Sequence, residues 1–138
     1  MKLENQVLSI DQVQELIELG FDVGKYSSMC WVKYTSDEEP YEETYNLTVL
    51  DENCYEMSCL APIPTLTIGD IMDILPIEIN DKRNRRIYNL ENYNLNDFYY
   101  YYSANDISII SFTPANLPFI NILFEILKWC IKEKHIAL

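Results

Sequence analysis

The fifteen residues from Leu117 to Ile131 constrain the fold more than any other stretch of the chain. Read at helical spacing, Ile120, Leu123, Phe124, Leu127, Cys130 and Ile131 fall on one stripe, and Phe119, Ile122, Ile126 and Trp129 on a second stripe beside it. Only Asn121, Glu125, Lys128 and Lys132 make a polar strip, and they too keep helical spacing. A helix apolar around most of its circumference has to be enclosed, either in the core of its own chain or between that core and a second copy. Both readings stand at this point, the second being a homodimer through the C-terminal helix. The stretch falls short of the ~20 apolar residues that cross a bilayer, so no membrane partner is expected. The helix is predicted to start near Asn116, with Pro118 tolerated in a first turn that needs no N–H.

The rest of the chain supplies the layers around that helix. Ser9-Ile10-Asp11-Gln12 has the form of a capping box, with Leu8 and Val13 placed as a hydrophobic staple. The helix that follows carries Val13, Leu16 and Ile17 inward, with Ile10 at the margin, and Gly20 supplies the left-handed position that ends it. Met29 to Tyr34 and Tyr45 to Leu50 are rich in aromatic and β-branched residues and read as a hairpin across Ser36-Asp37-Glu38-Glu39-Pro40. Thr67-Ile68-Gly69-Asp70 opens a second helix that Pro76 stops, with Ile71, Ile74 and Leu75 inward. Ile87 to Leu90, Phe98 to Ser103 and Ile107 to Phe112 form three strands, the last two joined across Ala104-Asn105-Asp106. The expected fold is α+β, a mainly antiparallel sheet of about five strands packed by three helices, with the C-terminal helix most buried. At 138 residues, 49 % of them hydrophobic, the chain fits a single domain, 1–138, with a core of its own.

Charge is distributed unevenly. From Tyr34 to Asp81, forty-eight residues carry twelve Asp or Glu and no Lys or Arg, and the chain then reads Lys82-Arg83-Asn84-Arg85-Arg86. The net charge of −12 disfavours direct nucleic-acid binding, which needs Lys and Arg against phosphate. An acidic surface attracts basic partners. Within it Tyr34, Tyr41, Tyr45 and Tyr55 place rings beside carboxylates, a composition suited to protein interfaces. The basic cluster at Lys82, Arg83, Arg85 and Arg86 is a candidate contact for an anion or an acidic partner, set against a reading in which it offsets acidic surface of the same molecule.

Catalytic chemistry finds little footing. His135, the one histidine, is the fourth residue from the end of the chain, where a frayed and solvated end would hold a general base poorly. Cys30, Cys54, Cys59 and Cys130 lack the two-residue spacing of zinc knuckles, and Asp51, Glu52 and Glu56 surround Cys54 with charge that opposes a thiolate. An EF-hand loop from Asp51 would need glycine where Glu56 stands and glutamate where Pro62 stands. Gly20, Gly24 and Gly69 are too scattered for a phosphate loop. No cofactor, no metal and no enzymatic activity are expected. A hydrolase or transferase using a carboxylate pair or Cys59 is the reading from the enzyme class. The first residues show no apolar core of a secretory signal, so a cytoplasmic setting with reduced thiols is expected.

Leu8-Ser9-Ile10-Asp11-Gln12 leading to Leu19-Gly20-Phe21-Asp22, then Ala61-Pro62-Ile63-Pro64-Thr65-Leu66 before a short helix ending Ile74-Leu75-Pro76, and a closing apolar helix through Trp129-Cys130-Ile131 together carry a resemblance. The chain resembles a broad group of small proteins carried by gut-bacterial genomes, their phages and mobile elements, a group with no established activity. The resemblance implies a phage or mobile-element setting and an α+β fold, and it transfers no functional residues.

These readings converge on a non-enzymatic accessory protein that binds a basic protein partner through its acidic hairpin, with Asp37, Glu38, Glu39, Tyr41, Glu42, Glu43 and Tyr45 as the contact residues. The alternative is an inhibitor or immunity-type protein whose carboxylates imitate nucleic-acid phosphates and block a basic nucleic-acid-binding enzyme.

Overall fold

Ser9 opens the first helix as its sequence requires. The Ser9 hydroxyl accepts from the Gln12 N–H at 3.2 Å, and the Gln12 side-chain oxygen accepts from the Ser9 N–H at 2.9 Å. Helix α1 (Ile10–Glu18) therefore starts with two of its otherwise unpaired donors satisfied, an arrangement that contributes about 1 kcal/mol. It ends in a Schellman motif: Gly20, at φ 87°, donates to the Ile17 carbonyl and Phe21 donates to the Leu16 carbonyl. Leu8 and Val13, the staple pair, are both buried, as are Leu16 and Phe21 at the far end. Ile17 is the exception to the predicted stripe. It is 47 % exposed, because a helix of nine residues turns only a narrow face inward and Val13 and Leu16 occupy it.

The computed structural model describes residues 2–49, 62–83, 85–94, 97–102, 108–112 and 118–138. The chain divides into two compact units, Met1–Asp70 and Ile71–Leu138. The first unit holds a 3-10 turn (Leu3–Gln6), α1, the short helix α2 (Val23–Tyr26), strands β1 (Met29–Thr35), β2 (Glu43–Val49) and β3 (Ile63–Thr65), and the start of α3 (Ile68–Ile74). The second holds the rest of α3, strands β4 (Glu78–Asp81), β5 (Arg86–Asn94), β6 (Asp97–Tyr102) and β7 (Ser108–Phe112), and α4 (Phe119–Lys132). This is an α+β fold in which every strand pairing is antiparallel. All five strands predicted from the sequence are present, and the short strands β3 and β4 add to them.

In the first unit the strand order is β2-β1-β3. β1 and β2 pair without interruption from Met29 opposite Val49 to Thr35 opposite Glu43. The Ser36 N–H donates to the Glu42 carbonyl at 2.9 Å, which continues the same register and sets its phase. Thr44, Asn46 and Thr48 then direct their backbone polar groups toward β1, and Glu43, Tyr45 and Leu47 direct theirs away. β3 provides an independent check. Pro64 lies opposite Cys30, and in this phase Cys30 bonds toward β2, so the missing N–H of Pro64 falls where no ladder bond is made. The sheet is tied to the N-terminal segment through the Leu8 carbonyl, which accepts from the Trp31 indole N–H at 3.0 Å and from the buried Thr65 hydroxyl at 2.7 Å. Leu8 in turn donates to the Leu66 carbonyl. The buried Thr65 hydroxyl and the Leu8 N–H and carbonyl are thus all partnered, as burial demands.

α3 begins with a second reciprocal cap, Asp70 N–H to the Thr67 hydroxyl and Thr67 N–H to the Asp70 carboxylate, each at 3.0 Å. The same carboxylate oxygen accepts from the Ser28 hydroxyl and N–H, joining the start of β1 to the start of the helix. In the second unit β4, β5, β6 and β7 form an up-and-down meander in sequence order. The structure describes the backbone of β6 and not the side chains of its tyrosines, and the predicted turn at Ala104-Asn105-Asp106 lies outside the described residues. α4 approaches β6 and buries its first apolar stripe, Ile120, Leu123, Phe124, Leu127, Cys130 and Ile131, together with Ile122 and Ile126 of the second, whereas Phe119 and Trp129 of that second stripe are half-buried. Pro118 stands at the cap, not inside the first turn, because its ψ of 147° is extended. Among the described residues no helix is long and apolar enough to cross a membrane.

Candidate functional site

β3 pairs only with Met29, Cys30 and Trp31, so beyond Trp31 the hairpin continues as two strands among the described residues. Val32 to Thr35 with their partners Glu43 to Asn46 extend it by about 13 Å at the usual strand rise. Two-stranded ribbons are marginal by themselves, and local contacts support this one. Lys33 reaches diagonally to Glu43 at 2.9 Å. The Glu43 carboxylate, by its hydrogen bond and then its charge, raises the Lys33 pKa. Ser36 closes the connection: its hydroxyl accepts from the Glu42 N–H at 2.9 Å and lies 3.2 and 3.3 Å from the Glu38 and Pro40 carbonyls. The seven residues from Ser36 to Glu42, with a cis Glu39–Pro40 peptide, are thereby held as a folded loop.

The predicted contact residues come together on this ribbon. Asp37, Glu38, Glu39 and Glu42 are exposed, and among the described residues none has a cationic partner. Tyr34, Tyr41 and Tyr45 are 56 %, 65 % and 43 % exposed, enough to leave ring surface open to another molecule. The alternation of the strands puts Tyr34 and Tyr45 on opposite faces, since Tyr45 is paired with Lys33. Tyr41 stands in the loop between them. Glu43 differs from the other carboxylates in being engaged with Lys33. The part of the acidic stretch from 50 to 61, with Asp51, Glu52, Cys54, Tyr55, Glu56 and Cys59, lies outside the described residues.

The basic cluster occupies the turn between β4 and β5, in the second unit. Asp81 accepts from the Arg83 N–H at 3.1 Å, an Asx turn, and Arg85 adopts the left-handed conformation at φ 53°. Lys82, Arg83, Arg85 and Arg86 are exposed, with Arg86 opening β5 opposite Asp81. Acidic hairpin and basic turn thus belong to different units.

His135 is not the frayed terminal residue that its position suggests. Its N–H donates to the Cys130 carbonyl at 2.8 Å, its ring lies 4.9 Å from the Trp129 ring, and burial lowers its pKa against the opposing charges of Glu133 and Asp81. This is the second Schellman motif of the molecule, with Lys134 at φ 60° in the role that Gly20 takes in the first. A sequence reading that looks for glycine at helix ends passes over it. Cys30 and Cys130 are buried thiols, one in each unit. Among the described residues no three His, Cys, Asp or Glu side chains gather as a metal site would require.

Ser36 is the residue of the candidate site that composition alone does not reveal. Its place just before three acidic positions makes it look like one more loop residue, yet it carries the hydrogen bonds that shape the acidic loop. Comparison with protein-family models, with characterised proteins and with solved structures finds no match.

Proposed function

We propose that the protein is a non-enzymatic binding module that engages a basic protein partner through the ribbon formed by β1, β2 and their connection. The observation that carries this reading is the coincidence, on one two-stranded ribbon, of three exposed tyrosine rings with four exposed carboxylates that have no cation to neutralise them among the described residues. Rings supply rigid contact area at small entropic cost, and carboxylates steer a basic partner and fix its orientation. α4, the other apolar element, has most of its apolar side chains buried, with Phe119 and Trp129 half-buried, which favours the ribbon as the contact surface. The resemblance read from the sequence adds a phage or mobile-element accessory role to the proposal.

Affinity capture with wild-type protein and with a variant reversing Asp37, Glu38, Glu39 and Glu42 to Lys tests this. A basic protein held at low salt by the wild type, released by added salt and missed by the variant supports the reading. Capture that survives the four reversals at low salt removes the ribbon from the account. A captured partner with a basic nucleic-acid groove, displaced from this protein by DNA or RNA, would turn the reading toward an inhibitor that imitates phosphates.

A further inference from the structure

Beyond its loop, the ribbon has an edge whose chemistry is specific. β2 is the outer strand of its sheet, and no described strand lies on its far side. The phase fixed by the Ser36–Glu42 bond and by Pro64 leaves the N–H and C=O groups of Glu43, Tyr45 and Leu47 directed away from β1. Proteins guard such edges with proline, lysine, a bulge or inward charge. From Thr44 to Leu47 β2 has none of these: no proline, no charged residue, and a register with β1 that runs unshifted. Val49 already has other contacts in the chain, so the edge of interest ends at Leu47.

We infer that this edge of β2, at Glu43, Tyr45 and Leu47, docks an extended basic segment of a protein partner as an added strand. The inference rests on the binding role proposed for the ribbon and specifies how the partner is held. Charge decides the kind of occupant. The acidic loop, with Asp37, Glu38, Glu39 and Glu42, adjoins the Glu43 end of the edge, so an incoming strand meets carboxylates at one end and an uncharged Thr44–Leu47 stretch along the remainder. The matching segment has Lys or Arg at the end beside the loop and uncharged, β-forming residues after it. Backbone pairing supplies affinity, and the loop supplies orientation.

A short synthetic peptide with two lysines followed by alternating Val and Thr is the probe, with a control in which alternate backbone nitrogens are methylated so that charge is kept and strand pairing is lost. Amide hydrogen exchange of the full chain is the readout. In the free protein the Tyr45 and Leu47 amides should exchange as open amides, while Thr44 and Asn46 are protected by β1. At a peptide concentration a hundred times its Kd, Tyr45 and Leu47 should slow by about a hundredfold. Leu47→Pro, which removes an outward N–H and no ladder bond, should abolish this binding, and Leu47→Val should retain it. Protection of Tyr45 and Leu47 in the free chain would overturn the inference. Equal binding of the methylated peptide would also overturn it and leave the acidic ribbon as an electrostatic contact. Binding by neither peptide overturns strand docking alone, since the charge-reversed capture experiment decides the ribbon's role separately.

Discussion

The connection after Thr35 and the turn after Asp81 both join adjacent antiparallel strands, and in both a side-chain oxygen captures a backbone N–H. Ser36 reaches across its loop to Glu42, whereas Asp81 reaches only two residues along, to Arg83. The first loop is acidic and flanked by exposed Tyr34, Tyr41 and Tyr45; the second is basic, and the exposed apolar side chain beside it is Ile87. Charge density is comparable in the two, so charge alone does not separate the proposed docking surface from the basic turn. What differs is contact area. Long cationic side chains in water contribute little per pair and lose entropy when they are held. Rings on a clamped ribbon lose much less.

Four experiments break or sharpen that comparison. The largest effect should come from reversing charge at each site in turn. Four reversals at Asp37, Glu38, Glu39 and Glu42 should weaken partner binding by about a hundredfold at low salt, taking roughly 0.7 kcal/mol for each exposed pair. Reversing Lys82, Arg83, Arg85 and Arg86 should leave affinity within about threefold, and titration calorimetry at two salt concentrations measures both. The helix ends of the two units come next, since one places glycine and the other lysine in the left-handed position. Gly20→Ala should destabilise by about 1–2 kcal/mol, and Lys134→Gly should stabilise by about 0.5 kcal/mol, both read from urea midpoints.

Removing the loop clamp is a smaller perturbation. Ser36→Ala should cost about 1 kcal/mol locally and speed exchange of the Glu42 amide, while Asp81→Ala should free the Arg83 amide with less effect on its hairpin. The smallest effect concerns pH. Burial holds the His135 pKa below the ordinary histidine value, so the folded state binds its proton more weakly than the unfolded chain does. The resulting contribution to stability is complete above pH ~6.5 and is lost as pH falls through the lowered folded value. His135→Gln should remove that slope, so that calorimetry finds a smaller fall in Tm between pH 7 and 5 for the variant than for the wild type.

Much of the fold is legible in the chain because local chemistry decides it. Ser9 and Gln12, Gly20, and Thr67 with Asp70 each act within a few residues of themselves, and each does in the structure what its residue type favours. The apolar circumference of α4 likewise predicts its burial. Where nonlocal packing decides, the sequence is silent. Nothing around Ile63-Pro64-Thr65 marks a strand, and β3 exists because Met29 and Trp31 offer it an edge where Pro64 needs no bond. Ile17 belongs to the apolar pattern of α1, yet the inward face of that helix is filled without it. At the candidate site the carboxylates and tyrosines were readable from composition. Their assembly on a ribbon closed by Ser36 depends on a register that only pairing with β1 reveals.

The central claim is that partners meet the acidic ribbon and not the basic turn. Site-specific photocrosslinking tests it directly, with a benzophenone side chain introduced at Tyr41 in one protein and at Arg83 in another, both exposed positions, irradiated in the same lysate at low salt. A salt-sensitive crosslink to a basic protein from position 41, absent from position 83, is the predicted result. The same protein crosslinked from position 83 and missed from position 41 would contradict the account.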